Sequence, residues 1–156
     1  MKKLIKIAAA QLTPVFLNKE KTIEKACEAI SEAGKNGAEL IVFPEAFISG
    51  YPDWVWLIPN SKGKMLNDLY VRLVENAISV PDDSTDKLCK SAKAAGINVV
   101  MGMNERNTDK SGASLYNSIL FISNEGKIAG IHRKLMPTGG ERLIWAQGNG
   151  TSLRAY

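Results

Sequence analysis

An α/β fold with a mixed sheet is predicted by three observations: short apolar segments alternate with amphipathic ones, two later strand-like runs flank a turn-prone tripeptide, and the composition is that of a packed protein. Of the 156 residues, 45% are apolar and 23% charged, which excludes disordered, collagen-like and coiled-coil chains. No apolar run approaches the roughly 18 residues that span a bilayer, so no membrane span is expected. Residues 1–3 are basic, but the following segment is broken by Lys6 and closes on Gln11 without a cleavage site. It reads as a strand rather than a signal peptide, and the expected compartment is the cytoplasm.

Residues 4–12 form a short, partly alternating apolar run ahead of Pro14 and predict a buried first strand. Asn18 then caps a helix whose stripe is Ile23, Ala26, Cys27 and Ile30, with Gly34 and Asn36-Gly37 as its stop. Residues 38–43 predict a second strand ending at Pro44. The stretch 50–60, rich in aromatics and proline, predicts a loop that lines something. Residues 63–77 carry a helical stripe of Leu66, Leu69, Tyr70, Leu73 and Val74. Beyond Pro81, one of Asp82, Asp83 or Ser84 caps a helix burying Leu88, Cys89, Ala92 and Ala95, Gly96 ends it, and residues 97–101 predict a third strand. Runs 114–123 and 127–133 flank Asn124-Glu125-Gly126 and predict a hairpin, which makes the sheet mixed. Residues 151–156 are again strand-like.

Twenty Lys and Arg against sixteen Asp and Glu give +4, but the charges are interspersed, so nucleic acid is not an expected partner. Cys27 and Cys89 lack ligand or disulfide spacing, and neither a zinc site nor a disulfide framework is indicated. The single His132 alternates with apolar residues and reads as a strand residue before a metal ligand.

Three residues are candidates for chemistry. Glu45 follows an apolar strand and Pro44, at the kind of strand end where α/β folds place ligands. It is either a solvated loop carboxylate or, amid Ala46, Phe47 and Ile48, a desolvated general base. Lys134, after the last hairpin strand, is either one surface cation among twenty or an ammonium that stabilises developing negative charge. Glu141 follows the flexible pair Gly139-Gly140 and either pairs with Arg142 or solvent or joins a site. Tyr51, Trp54 and Trp56 read as core or subunit-contact aromatics, or as walls of an apolar pocket. Spacing alone does not bring the two strand ends together.

The runs FPEAFISGYP (43–52), HRKLMPT (132–138) and ERLIWAQGNG (141–150), with IAAAQL (7–12) at the start, resemble the nitrilase branch of the carbon-nitrogen hydrolase superfamily. The resemblance implies an α-β-β-α sandwich of which residues 1–156 form a partial domain, the amino-terminal half. It also implies a Cys-Glu-Lys catalytic set with no metal or organic cofactor. Residue by residue, Glu45 matches the general base, Lys134 the lysine and Glu141 a second acidic residue near the active site, while Tyr51 and Trp54 fall in the stretch that contacts substrate. Neither Cys27 nor Cys89 matches the nucleophile, so the chain alone is expected to be inactive. The implied substrate is a small nitrile or amide, and the implied partner is a second copy or a complementary carboxy-terminal chain. An aliphatic amidase, a cyanide-hydrating relative and a non-catalytic assembly or regulatory subunit are the alternatives. Retention of Glu45, Lys134 and Glu141 together argues against the last.

Overall fold

A computed structural model describes residues 4–108 and 114–156; the basic residues 1–3 lie outside the described residues. Five strands, β1 (Ile7–Ala9), β2 (Leu40–Val42), β3 (Asn98–Arg106), β4 (Leu115–Ile122) and β5 (Ile128–Arg133), form one sheet in sequence order. The pairs β1–β2 and β2–β3 are parallel, and β3–β4 and β4–β5 antiparallel. The mixed sheet follows from two connection types: helices return the chain parallel, whereas the turn at 123–127 reverses it, with Gly126 at φ +75°.

Four helices are described: α1 (Lys19–Lys35), the single turn α2 (Trp54–Leu57), α3 (Gly63–Glu75) and α4 (Asp83–Ala95). Asn18 caps α1 by accepting the Lys21 N–H at 3.0 Å. Asp82 caps α4 in a reciprocal box with Thr85, and Gly96 ends that helix in the left-handed conformation at φ +68°. Helices α1 and α4 lie side by side, close enough that a Cβ on Gly34 would stand 2.8 Å from the Ala95 carbonyl oxygen. Their apolar faces (Ile23, Ala26, Ile30, Leu88, Ala92) bury one side of the sheet through Ile41, Val99, Met101, Met103, Leu120 and Ile122.

Strand alternation sends Val42, Val100, Gly102, Ile119, Phe121 and His132 to the opposite side. Part of that side is bare: Ile7 is 58% exposed and Val42 and Ile119 each 36%. Thus one α-β half of the expected sandwich is described. The first strand corrects the sequence reading, since β1 is a three-residue edge strand that is largely exposed rather than buried. Among the described residues it has a neighbouring strand on one side only, and only one face of the sheet is packed by helices.

Two further differences have local causes. Residues 151–156 are not a strand: a 3₁₀ turn over Gly150–Ser152 follows Asn149, and Tyr156 folds back to stack on Phe121 at 4.2 Å between centroids. The phenol ring takes the space of a side chain at Gly130, where an added Cβ would meet it at 2.1 Å. Strand β3, expected to stop at Met101, continues to Arg106. Its extension contains Gly102, Asn104 and Glu105, which fall outside the apolar run but are buried and bonded here. Glu105 accepts from Ser118 Oγ at 2.6 Å and is forked by Arg133, whose guanidinium lies 4.0 Å from the Tyr116 ring centroid.

Gly102 is required by a close approach. A Cβ there would lie 2.0 Å from the Pro44 carbonyl oxygen, so the backbone before Glu45 rests directly on β3. Gly102→Ala should therefore destabilise the fold by about 1–3 kcal/mol through overpacking against backbone. Urea unfolding of the variant beside the native protein measures it.

Candidate functional site

The site begins where β2 ends. Phe43 donates its N–H to Val100 O at 2.9 Å, and the chain then leaves the sheet over Gly102. Ala46, fully buried, takes φ +49°, and Ser49 takes φ +79°. These are conformations that non-glycine residues adopt only when their surroundings enforce them. The enforcing contacts are visible: Ile48 N–H donates to Gly102 O at 3.1 Å, and Asn104 Nδ2 donates to Ile48 O and Gly50 O at 3.1 and 2.9 Å. Asn104 Oδ1 in turn accepts from Trp145 Nε1 at 2.8 Å. The effect is to turn Ala46, Phe47 and Ile48 into the interior and leave the Glu45 side chain 51% exposed. Glu45 is therefore not a carboxylate enclosed by its apolar neighbours, because the tight turn points it away from them.

Lys134 follows β5. Its N–H donates to Asn117 O at 2.8 Å and its carbonyl accepts from Gly148 N–H at 3.0 Å. Its ammonium bridges Glu45 Oε1 at 3.0 Å and Glu141 Oε2 at 2.9 Å. Glu141 lies in a 3₁₀ turn over Gly139–Leu143 and is nearly buried. It accepts Thr138 N–H at 2.6 Å and the Tyr51 hydroxyl at 2.7 Å. It does not pair with Arg142, which instead donates to Pro137 O at 3.0 Å. The glycines before it are packed rather than loose, since a Cβ on Gly139 would stand 2.8 Å from the Trp56 ring.

Glu45, Lys134, Glu141 and Tyr51 thus converge from separated segments. Glu45 and Lys134 border a cleft of about 350 Å³ with Val42, Val100, Ile119 and Leu135 as apolar walls. Tyr51 reaches the cluster through Glu141 and meets Trp145 edge-on at 5.4 Å. Trp54 stands apart, buried against the α3 side and lining a different groove with Leu66, Tyr70 and Ile144. His132 is a strand residue whose Nδ1 lies 3.0 Å from Ser152 Oγ. Among the described residues no cluster of His, Cys, Asp and Glu has the makings of a metal site, and no helix is long and apolar enough to cross a membrane.

Sequence reading did not single out Asn117. Its Nδ2 donates to Glu45 Oε1 at 2.5 Å, and the residue is 5% exposed. The available signal was a carboxamide inside the apolar run of β4, where a buried polar group needs a partner.

Residues 6–154 match the carbon-nitrogen hydrolase family model. A Nitrilase 2 from an unknown prokaryotic organism is 41% identical over 155 residues, covering 97% of this chain and 47% of that protein. An aliphatic nitrilase of Rhodococcus rhodochrous is 42% identical over 152 residues, with coverages of 97% and 38%. The chain therefore spans less than half the length of these curated relatives. Among solved structures, a variant of the amidase from Nesterenkonia sp. AN1, with the acetamide moiety of fluoroacetamide added at its active-site cysteine, superposes with a TM-score of 0.67. It is 18% identical and covers 93% of this chain and 48% of that one, a likeness of fold alone.

The charges of the cluster support one another. Burial by itself would raise the Glu141 carboxyl and lower Lys134, but each is overridden: the Thr138 N–H, the Tyr51 hydroxyl and Lys134 hold Glu141 below its usual value, and the two carboxylates hold Lys134 above its own. Tyr51 is pushed up by burial and by its bond to Glu141. A depressed carboxyl contributes stability that is present above its unfolded value, near 4.5, and lost as pH falls through the folded one. The raised Lys134 contributes stability present below 10.5 and lost at still higher pH. Glu141→Gln should therefore flatten the fall in stability below about pH 4.5, as read from urea midpoints across an acid series.

Proposed function

The chain belongs to the carbon-nitrogen hydrolase family, and on that premise we propose that it contributes the general base and the charge-holding lysine of a thiol-dependent nitrilase. The observation that carries this reading is the Lys134 ammonium bridging Glu45 and Glu141 beside an apolar-walled cleft. A cleft with such walls accepts the body of a small nitrile, and the polar groups face its reacting carbon. The nitrilase names of the more identical relatives favour a nitrile over an amide as substrate.

In the proposed reaction Glu45 takes the proton of a thiol while the thiol sulfur attacks the nitrile carbon, and passes that proton to the nitrile nitrogen, giving a thioimidate and restoring the Glu45 carboxylate. Lys134 balances the charge that gathers as the tetrahedral centre forms. Water, deprotonated by Glu45, adds to the thioimidate; Glu45 passes the protons of the water to the nitrogen, and collapse expels ammonia and leaves a thioester. A second water releases the carboxylic acid and regenerates the thiol. Glu141 holds Lys134 in place and charged, and Tyr51 holds Glu141.

Neither cysteine of the chain suits the attack. Cys27 and Cys89 lie on α1 and α4, in the layer on the other side of the sheet, and burial pushes both thiols up, away from the reactive thiolate. The nucleophile is accordingly assigned to polypeptide outside these 156 residues, which also covers the bare sheet side around Ile7. The working enzyme is proposed to be cytoplasmic and oligomeric.

Two outcomes are expected. The purified chain alone releases no ammonia from aliphatic or aromatic nitriles, whereas in the complete enzyme Glu45→Gln lowers kcat by about 10²–10⁴-fold; ammonia release by the chain alone that Glu45→Gln abolishes would overturn the assignment. On sizing columns the isolated chain runs as associated species. A monodisperse, cooperatively melting monomer would contradict the role given to the bare sheet side.

A further inference from the structure

We infer that Asn117 is a positioning residue that selects which oxygen of Glu45 receives the proton. This rests on the reading of Glu45 as the general base. Asn117 stands on β4 opposite Asn104 of β3, and both side chains are buried, next along their strands to the buried polar pair Ser118 and Glu105. A buried carboxamide is costly unless bonded, and that of Asn117 is spent on Glu45: its Nδ2 donates to Oε1 at 2.5 Å. Lys134 Nζ donates to the same oxygen at 3.0 Å. Oε1 thus carries two donors, one of them charged, and Oε2 accepts from none of the described residues.

The two oxygens are therefore chemically unequal. Protonation at Oε1 would require giving up or bending two hydrogen bonds, whereas Oε2 keeps free lone pairs. Proton transfer from the attacking thiol or water breaks its S–H or O–H bond and forms the new O–H bond at Oε2, while Oε1 stays anchored. Asn117 also fixes the second partner, because its backbone carbonyl accepts the Lys134 N–H at 2.8 Å. One residue on a central strand thereby sets the separation of base and ammonium, with its side chain on one and its main chain on the other. The backbone bond survives side-chain substitution, so variants at this position release Glu45 and leave the Lys134 main chain held.

The test uses the complete, thiol-bearing enzyme and compares native protein with Asn117→Ala, Asn117→Asp, Glu45→Gln and the double variant Asn117→Ala/Glu45→Gln. Turnover is expressed per titrated active site, so that only folded molecules count, and the alkylation rate of the active thiol by iodoacetamide is read in parallel. Asn117→Asp keeps the shape and replaces the donor by an acceptor. The expected result is a loss of about 100-fold in kcat for both single Asn117 variants with KM within about threefold. The double variant should be no slower than Glu45→Gln in turnover or alkylation, because Asn117 acts only through Glu45. Native kcat per site in Asn117→Asp, or losses that multiply in the double variant, would overturn the inference. Native turnover in Glu45→Gln would instead overturn the reading of Glu45 on which it rests, so the two failures are told apart.

Discussion

Two carboxylates that share one small site repel each other unless a cation stands between them, and the Lys134 ammonium meets that requirement here. Its position depends on separate parts of the chain being held to within a fraction of a hydrogen-bond length. Each is held by backbone. Lys134 is tied by its N–H to β4 and by its carbonyl to Gly148, Glu45 by the rest of Pro44 on Gly102, and Glu141 by its own capping box. The charged ends are then the free tips of braced supports, which is what a preorganised electrostatic site needs.

That bracing has a cost that the surroundings offset. Ala46 and Ser49 occupy left-handed backbone conformations within a few residues of Glu45, and strain of that kind persists only where neighbouring contacts over-determine it. Here Asn104 supplies them from beneath, bonding two carbonyls of the loop and the Trp145 indole at once. The ring of Trp145 then lies edge-on to Tyr51, which donates to Glu141. Loop, 3₁₀ turn and sheet are in this way one connected polar network walled by apolar residues, and a disturbance at any member is felt at the ammonium.

The sheet divides the labour between its faces. One is sealed by α1 and α4 with a contiguous apolar core that supplies stability. The other carries the cleft, the bare residues Val42 and Ile119, and the Glu45–Lys134–Glu141 cluster. Both cysteines belong to the sealed side, which separates them from the carboxylates more decisively than sequence distance does.

Element order, the mixed sheet, the cap at Asn18, a second cap among Asp82, Asp83 and Ser84 and the hairpin at Gly126 were legible in the sequence, because periodicity, capping and turn chemistry are local properties. The motif runs also pointed to Glu45, Lys134 and Glu141, although each taken singly had an ordinary surface reading. What only the tertiary structure decided is pairwise and distant: that Glu141 meets Lys134 rather than Arg142, that Gly102 extends a strand instead of ending it, that Tyr156 caps Gly130 instead of forming a strand, and that Asn117 reaches Glu45. These outcomes depend on which chain segments approach across the sheet, and an isolated strand, read residue by residue, contains no record of what will lie against it.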